Sequence, residues 1–315
     1  MDILTIILFI ASIAFITKGA DWFIESAVSI SEKSGIPKVI IGATIVSFAT
    51  TAPELAVSAT AAYLNHPEVA TGNAVGSALC NTGFVLGSVI LIKSINLDIG
   101  TFIRKGAIML ISGIILLITT IDGTLSRFDG FVLLLIFIGF LYYNYRLQYS
   151  IFRDTGTKMN KETFTGLKSD IFFFVIGSSS VIIGSRLLID TGVKIAQWIG
   201  IPEIIIGLTL IALGTSLPEF ITAVSSCIKG HQDLSIGNIL GANTMDIALV
   251  LGISSQIRNL PILEQSINYD FPVMLLIMSM LIIFGLTNKR LDRWEGAVIF
   301  GTYAVYITGL FVWFN

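Results

Sequence analysis

The segment GIPKVIIGAT at residues 35–44 returns as GIPEIIIGLT at residues 200–209. Working outward from it, residues 19–87 align with residues 184–252 at a constant offset of 165, without a gap. TTAPE at 50–54 then pairs with TSLPE at 215–219, and GNAVGSALCN at 72–81 pairs with GNILGANTMD at 237–246. Roughly 20 of about 70 positions are identical, a level that marks internal duplication. The matches concentrate at polar residues and at residues with special backbone properties.

The duplicated segments sit in a chain of 315 residues that is 54% hydrophobic and only 13% charged, with a mean hydropathy of +0.86. A soluble domain carries about twice that charged fraction, so the chain reads as a membrane protein. A net charge of −2 offers no basic field for nucleic acid. Cys80 and Cys227 lie in apolar runs and match no metal-ligand spacing; they read as small buried hydrophobes, not as a disulfide. The N-terminal MDILTIILFIASIAF lacks a basic leader and a cleavage site, and reads as a first span.

A helical span takes about 20 apolar residues. Spans are expected near 2–31, 36–64, 69–92, 104–121, 127–147, 169–197, 202–228, 233–256, 271–287 and 292–314. The expected fold is thus an all-α membrane protein of ten transmembrane helices, with residues 1–147 and 169–315 as its halves and 148–168 as a polar linker. The second, third, seventh and eighth spans carry Gly, Pro, Asn, Asp and Glu and belong in the protein interior. Numbering the loops alternately separates the basic residues. One side holds most of them, among them Lys33, Lys93, Arg104, Lys105, Lys168, Lys229 and Arg293; the other holds Arg127 and Arg258. The positive-inside rule then places the linker in the cytoplasm and both termini outside a plasma membrane.

Each half holds five spans. Five is odd, so the second copy enters the membrane in the opposite sense. Inverted five-helix repeats with broken helices at the midplane are the architecture of secondary transporters, with the substrate site where the copies meet.

Ser47, Thr50, Thr51 and Glu54 are spaced i, i+3, i+4, i+7 and share one helix face. Ala212, Thr215, Ser216 and Glu219 repeat that spacing. Ser77 and Asn81 are four apart in the third span, and Ala242 and Asp246 hold the equivalent positions in the eighth. A carboxylate inside a membrane costs several kcal/mol unless compensated. Lys18 and Arg186 sit on other spans, in segments expected to be peripheral, which leaves bound cations or protonation to stabilise Glu54, Glu219 and Asp246. An all-oxygen ligand set suits hard ions such as Ca2+ and Na+. Pro53 and Pro218 are expected to kink their helices and release the carbonyls of Ala49 and Gly214. Asn73 and Asn238 are expected to support those breaks, and His66 and His231 to sit at loop ends.

These residues resemble the calcium/cation antiporter superfamily, and within it the prokaryotic Na+/Ca2+ exchangers. The signature GTSLPE stands at 214–219, with the variant ATTAPE at 49–54, and the similarity covers nearly the whole chain. The resemblance implies a diamond of ion positions. Glu54, Glu219, Thr50 and Thr215 would hold Ca2+ and compete with Na+. Carbonyls near Ser47 and Ala212 would complete outer Na+ positions, with Thr51, Ser77, Asn81, Ser216 and Asp246 lining the rest. It further implies alternating access, with the first and sixth spans sliding across the others, and no organic cofactor. The chain departs from the family at Ala242, where a hydroxyl is common, at Ser47, often a small apolar residue, and at Thr51, usually serine. The expected working unit is the monomer.

Ca2+/H+ exchange stays open, because carboxylates carry protons as readily as Na+. K+-dependent Na+/Ca2+ exchange stays open through Asp246. A cation channel is the alternative of a different class. The absence of GxxxxGK[ST] argues against a primary pump, and the lack of a nucleophile–base pair or HExxH argues against an enzyme.

Overall fold

A bilayer core supplies no water to pair a backbone amide or carbonyl, so an apolar chain must close its hydrogen bonds within helices. The computed structural model describes residues 3–34, 36, 38–155, 164–198 and 216–313 and is helical through most of them. The order begins α1 (Ile3–Ser34), α2 (Lys38–Ile41), a π-helical turn (Gly42–Val46), α3 (Ser47–Tyr63), α4 (Pro67–Leu79), a π turn (Cys80–Leu86) and α5 (Gly87–Ile92). Strand β1 (Ile95–Asn96), α6 (Ile99–Thr119), β2 (Thr124–Leu125), α7 (Arg127–Thr155) and α8 (Phe164–Trp198) follow. Then come α9 (Leu217–Ile228), α10 (Gln232–Met245), a π turn (Asp246–Val250), α11 (Leu251–Ile257) and β3 (Leu260–Pro261). A last π turn (Ser266–Asp270), α12 (Phe271–Asn288), β4 (Arg290–Leu291) and α13 (Arg293–Trp313) complete the chain.

Among the described residues, eight helical stretches are long and apolar enough to cross a membrane. They coincide with eight of the expected spans. The second expected span is the continuous helical run of α2, π turn and α3. The seventh is described only from Ser216 onward. The most apolar part of Gln232–Ile257 is 94% buried and that of Pro67–Ile92 is 72% buried, against 22% for Ile3–Ser34 and Arg293–Trp313. The interior is therefore built on the polar third and eighth spans, as their composition predicts.

Helices in lipid gain little from the hydrophobic effect, so they associate through close packing at small residues. At the α1–α8 contact, a Cβ on Gly177 would sit 2.6 Å from the Phe23 nitrogen and 2.8 Å from the Gly19 carbonyl oxygen, so the two backbones touch. Phe23 and Phe174 pack beside them in a tilted pair, with ring centroids 4.6 Å apart. Lys229, just past α9, ties this pair to the rest through Asp21 (2.8 Å) and Glu25 (3.2 Å) of α1.

Local structure recurs down the chain. The left-handed positions Asn65 and Gly230 are 165 apart, and the π turns at Cys80 and Asp246 overlap at the same offset. Strand β1 pairs with β4 and β2 with β3, so that Ile95 faces Leu291 and Leu125 faces Leu260. The amide of Leu97 donates to the Lys289 carbonyl (2.9 Å), and that of Ile262 to the Gly123 carbonyl (2.8 Å). Ser126 N–H donates to Asp129 Oδ2 (3.0 Å) at the start of α7, and Asp292 N–H to Glu295 Oε2 (2.7 Å) at the start of α13. These last matches run at 166 once α6 or α12 has been passed. Ser266–Asp270, immediately before α12, is a π turn that α6 lacks.

α3 runs through Pro53, and an irregular turn lies upstream of it at Gly42–Val46. Two expectations need correction. The linker is shorter than 148–168, because α7 continues to Thr155 and α8 begins at Phe164; residues 156–163 lie outside the described residues. Lys105 is not a loop charge but a fully buried side chain inside α6. Long side chains at helix ends can pack their stems against apolar neighbours, so a basic residue does not by itself mark the end of a span.

Candidate cation-binding site

The four oxygen-bearing residues of α3 point inward. Ser47, Thr50, Thr51 and Glu54 are all buried, Glu54 to 1% exposure. Helix α10 crosses directly over them. A Cβ on Gly42 would lie 3.0 Å from the Asn238 nitrogen, and one on Gly241 would lie 2.6 Å from the Ala43 oxygen, so only glycine permits the crossing. The Ser47 hydroxyl lies 2.7 Å from the Gly42 carbonyl and 2.8 Å from that of Asn238, using its proton on backbone oxygens. The Thr50 hydroxyl lies 3.3 Å from the Ser47 carbonyl and 3.4 Å from Asn238 Oδ1. The Asn238 amide in turn donates to Thr222 Oγ1 (3.2 Å). Asn73 donates to the Glu54 carbonyl (3.2 Å) and to Ser58 Oγ (2.9 Å). Both asparagines thus tie helices together, the supporting role their positions suggest.

Glu219 stands in the first turn of α9, with Pro218 beside it, and Ser216 precedes the helix. Both Glu219 and Ser216 are 1% exposed. Asn81 and Asp246 lie in the two matched π turns, and Asn81 Nδ2 donates to Asp246 Oδ2 at 3.4 Å. Ser77 and Ala242 are buried on α4 and α10, and the Ala242 carbonyl accepts the Asp246 N–H. Ala212 and Thr215 lie outside the described residues.

Among the described residues, most of the buried side-chain atoms without a hydrogen-bond partner fall on this set. The buried side-chain atoms left without a partner include Thr51 Oγ1, both oxygens of Glu54, Ser77 Oγ, Asn81 Oδ1, Ser216 Oγ, Glu219 Oε2 and Asp246 Oδ1. All are oxygens. An unpaired buried polar atom costs about 1–3 kcal/mol, and more where it carries charge. Glu54 also feels the like charges of Glu219 and Asp246, and Asp246 that of Glu219. Cations would offset both costs together. Among the described residues, no group of three His, Cys, Asp or Glu side chains is placed to hold one metal ion. An ion here would draw on hydroxyl, amide and carbonyl oxygens as well as carboxylates, which suits hard cations.

The same accounting adds residues the sequence did not single out. Asn243 Nδ2 donates to Thr82 Oγ1 (2.5 Å), while Asn243 Oδ1 is unpaired and fully buried. The repeat aligns Asn243 with Ala78 and Thr82 with Ile247, so neither stood out as a matched polar pair. Arg186 is exposed, as expected of a peripheral residue, yet it lines a cleft against α3.

The family described as sodium/calcium exchanger protein matches residues 4–146 and 169–312. The sodium/calcium exchanger MaX1 of Methanosarcina acetivorans is 29% identical, over 97% of this chain and 98% of its own. The inner membrane protein YrbG of Escherichia coli is 31% identical over 96% of both chains. A structure of the sodium-calcium exchanger NCX_Mj, soaked with Na+ and Ca2+, superposes with a TM-score of 0.86 at 29% identity, covering 98% of this chain and 99% of that one.

Proposed function

Because the chain belongs to the sodium/calcium exchanger protein family, we propose that it is a secondary antiporter moving Ca2+ against Na+ across the plasma membrane by alternating access. The concentration of unpaired buried oxygens on the sequence-derived set carries this reading. Glu54 and Glu219, with Thr50 and Thr215, hold Ca2+ and compete with Na+. Thr51, Ser77, Asn81, Ser216 and Asp246, with backbone near Ser47, Ala212 and Ala242, line the remaining positions. All of these ligands bind transported ions.

The architecture is ten spans in two inverted repeats, 1–147 and 169–315. The recurrence of left-handed residues, π turns, strand pairs and helix caps supports it. Each strand pair joins one half to the other, and exchanging the halves turns one pair into the other, as a pseudo-two-fold axis requires. Strands β1 and β4 adjoin Lys93 and Arg293, whereas β2 and β3 adjoin Arg127 and Arg258. This agrees with a basic cytoplasmic face and with both termini outside. The unit that works is the monomer.

The test is radiolabelled Ca2+ uptake into proteoliposomes at clamped voltage. Na+-loaded vesicles are expected to take up Ca2+ only while the Na+ gradient lasts, and H+ or K+ gradients alone to drive none. Uptake driven by a H+ gradient without Na+ would replace this reading with Ca2+/H+ exchange. Flux with no counter-ion gradient would point to a channel.

Ala242→Ser offers a finer test. Its counterpart Ser77 presents an unpaired hydroxyl, whereas Ala242 presents none. One added oxygen of about 1 kcal/mol should lower the Na+ half-saturation by about fivefold. Ca2+ half-saturation should stay as in wild type. An unmoved Na+ dependence would remove position 242 from the Na+ ligand set.

A further inference from the structure

Ser47, Thr50 and Glu54 lie on one stripe of α3, and Val57 and Ala61 continue that stripe toward its C-terminal end. Val57 and Ala61 open onto a cleft that passes Leu64 and reaches His66 and Val69 at the start of α4. Arg186 of α8 lines the same cleft. Among the described residues, no acidic side chain lines it. Glu54, farther along the stripe, is 1% exposed. Arg186 thus places a positive charge along the route that the stripe marks toward Glu54, and surroundings of low dielectric screen a charge far less than water does.

On the proposed orientation, the cleft opens to the outside. Resting on the reading of Glu54 as an ion ligand, we propose that Arg186 is a specificity-determining residue of the outer route, a fixed positive charge that weakens cation binding from that side. A divalent ion meets twice the repulsion of a monovalent one. Buried carboxylates attract a divalent ion about twice as strongly as a monovalent one. A positive charge on the outer route favours its release there and leaves Na+ entry less affected. Arg186 is not itself an ion ligand, having no acceptor atom to offer.

The experiment uses the full chain in proteoliposomes, with half-saturation for Ca2+ and Na+ measured separately at each face. Arg186→Gln keeps length and hydrogen-bonding capacity and removes the charge. A factor of about three in outer Na+ half-saturation corresponds to about ten for Ca2+, because the energy scales with ion charge. Both values are expected to fall by those factors at the outer face, and inner values to stay fixed. The shift should shrink as ionic strength rises. Arg186→Lys, which keeps the charge, should behave as wild type and controls for folding. Na+-driven exchange with unmoved outer half-saturation, equal shifts for both ions, or equal shifts at both faces would overturn the role of Arg186 and leave the exchanger reading intact. A wild-type protein without Na+-driven Ca2+ flux would overturn the exchanger reading, and this role with it.

Discussion

Glu54→Gln is expected to leave a folded, membrane-inserted protein with no measurable Ca2+ exchange, and Glu219→Gln is expected to do the same. The amide keeps the shape of the side chain and one oxygen ligand, so the packing of α3 under α10 has no reason to change. What goes is one negative charge. Two unit charges 4 Å apart interact by about 4 kcal/mol at an effective dielectric of 20, and a divalent ion doubles that figure. Even a fraction of such a loss lowers Ca2+ affinity by several orders of magnitude. Glu54 has both oxygens buried and unpaired, so among the described residues no hydrogen-bond donor stands in for an ion. Two measurements separate the site from the scaffold. Radiolabelled Ca2+ uptake should vanish in both variants. Thermal unfolding without Ca2+ should be as in wild type or higher, while the stabilisation that added ligand confers should be lost. Either variant transporting Ca2+ at the wild-type rate would remove that glutamate from the site.

Gly241→Val should instead destroy the scaffold. A Cβ at this position would lie 2.6 Å from the Ala43 oxygen and 2.7 Å from its Cα. These are backbone atoms, which no rotamer change can move aside. The crossing of α10 over the π turn at Gly42–Val46 would have to separate, and the contacts between Ser47 and Asn238 would go with it. Overpacking of this kind costs about 3 kcal/mol or more. Both ligand-free thermal stability and transport should fall, in contrast to the glutamate variants. Gly139 of α7 has no atom within 4 Å of its would-be Cβ, so Gly139→Ala should change neither. A Gly241→Val protein with wild-type stability would mean that the helices cross with more room than this geometry allows.

The legible part of the site was the part that repeats. Glu54 with Glu219, and Asn81 with Asp246, stood out because a polar residue in one apolar span has a polar counterpart 165 residues on. Asn243 and Thr82 have apolar counterparts and were passed over, although their hydrogen bond lies deep in the interior. Spans were legible because lipid demands about 20 apolar residues in a row. Their ends were not, since Lys105 lies inside α6 and polar residues up to Thr155 continue α7. The π turns were invisible to a reading based on proline. A π turn is one residue inserted into a helix, and no residue type announces it. The place of Arg186 beside α3 was missed for another reason: sequence distance says nothing about which side chains share a cleft.

The π turn at Ser266–Asp270 has a consequence for how the halves could diverge. An extra residue in an uninterrupted helix rotates everything beyond it by about 100° and advances it by about 1.5 Å. Carried through α12, that change of phase would turn its core residues toward lipid and pull β4 out of line with β1. Ser266–Asp270 takes up the surplus residue in a single wide turn at the head of the span. Beyond it, Met274, Met278 and Leu281 remain buried, and Ile95 still meets Leu291. One half could thus grow by a residue while every contact it makes with the other kept its angular setting.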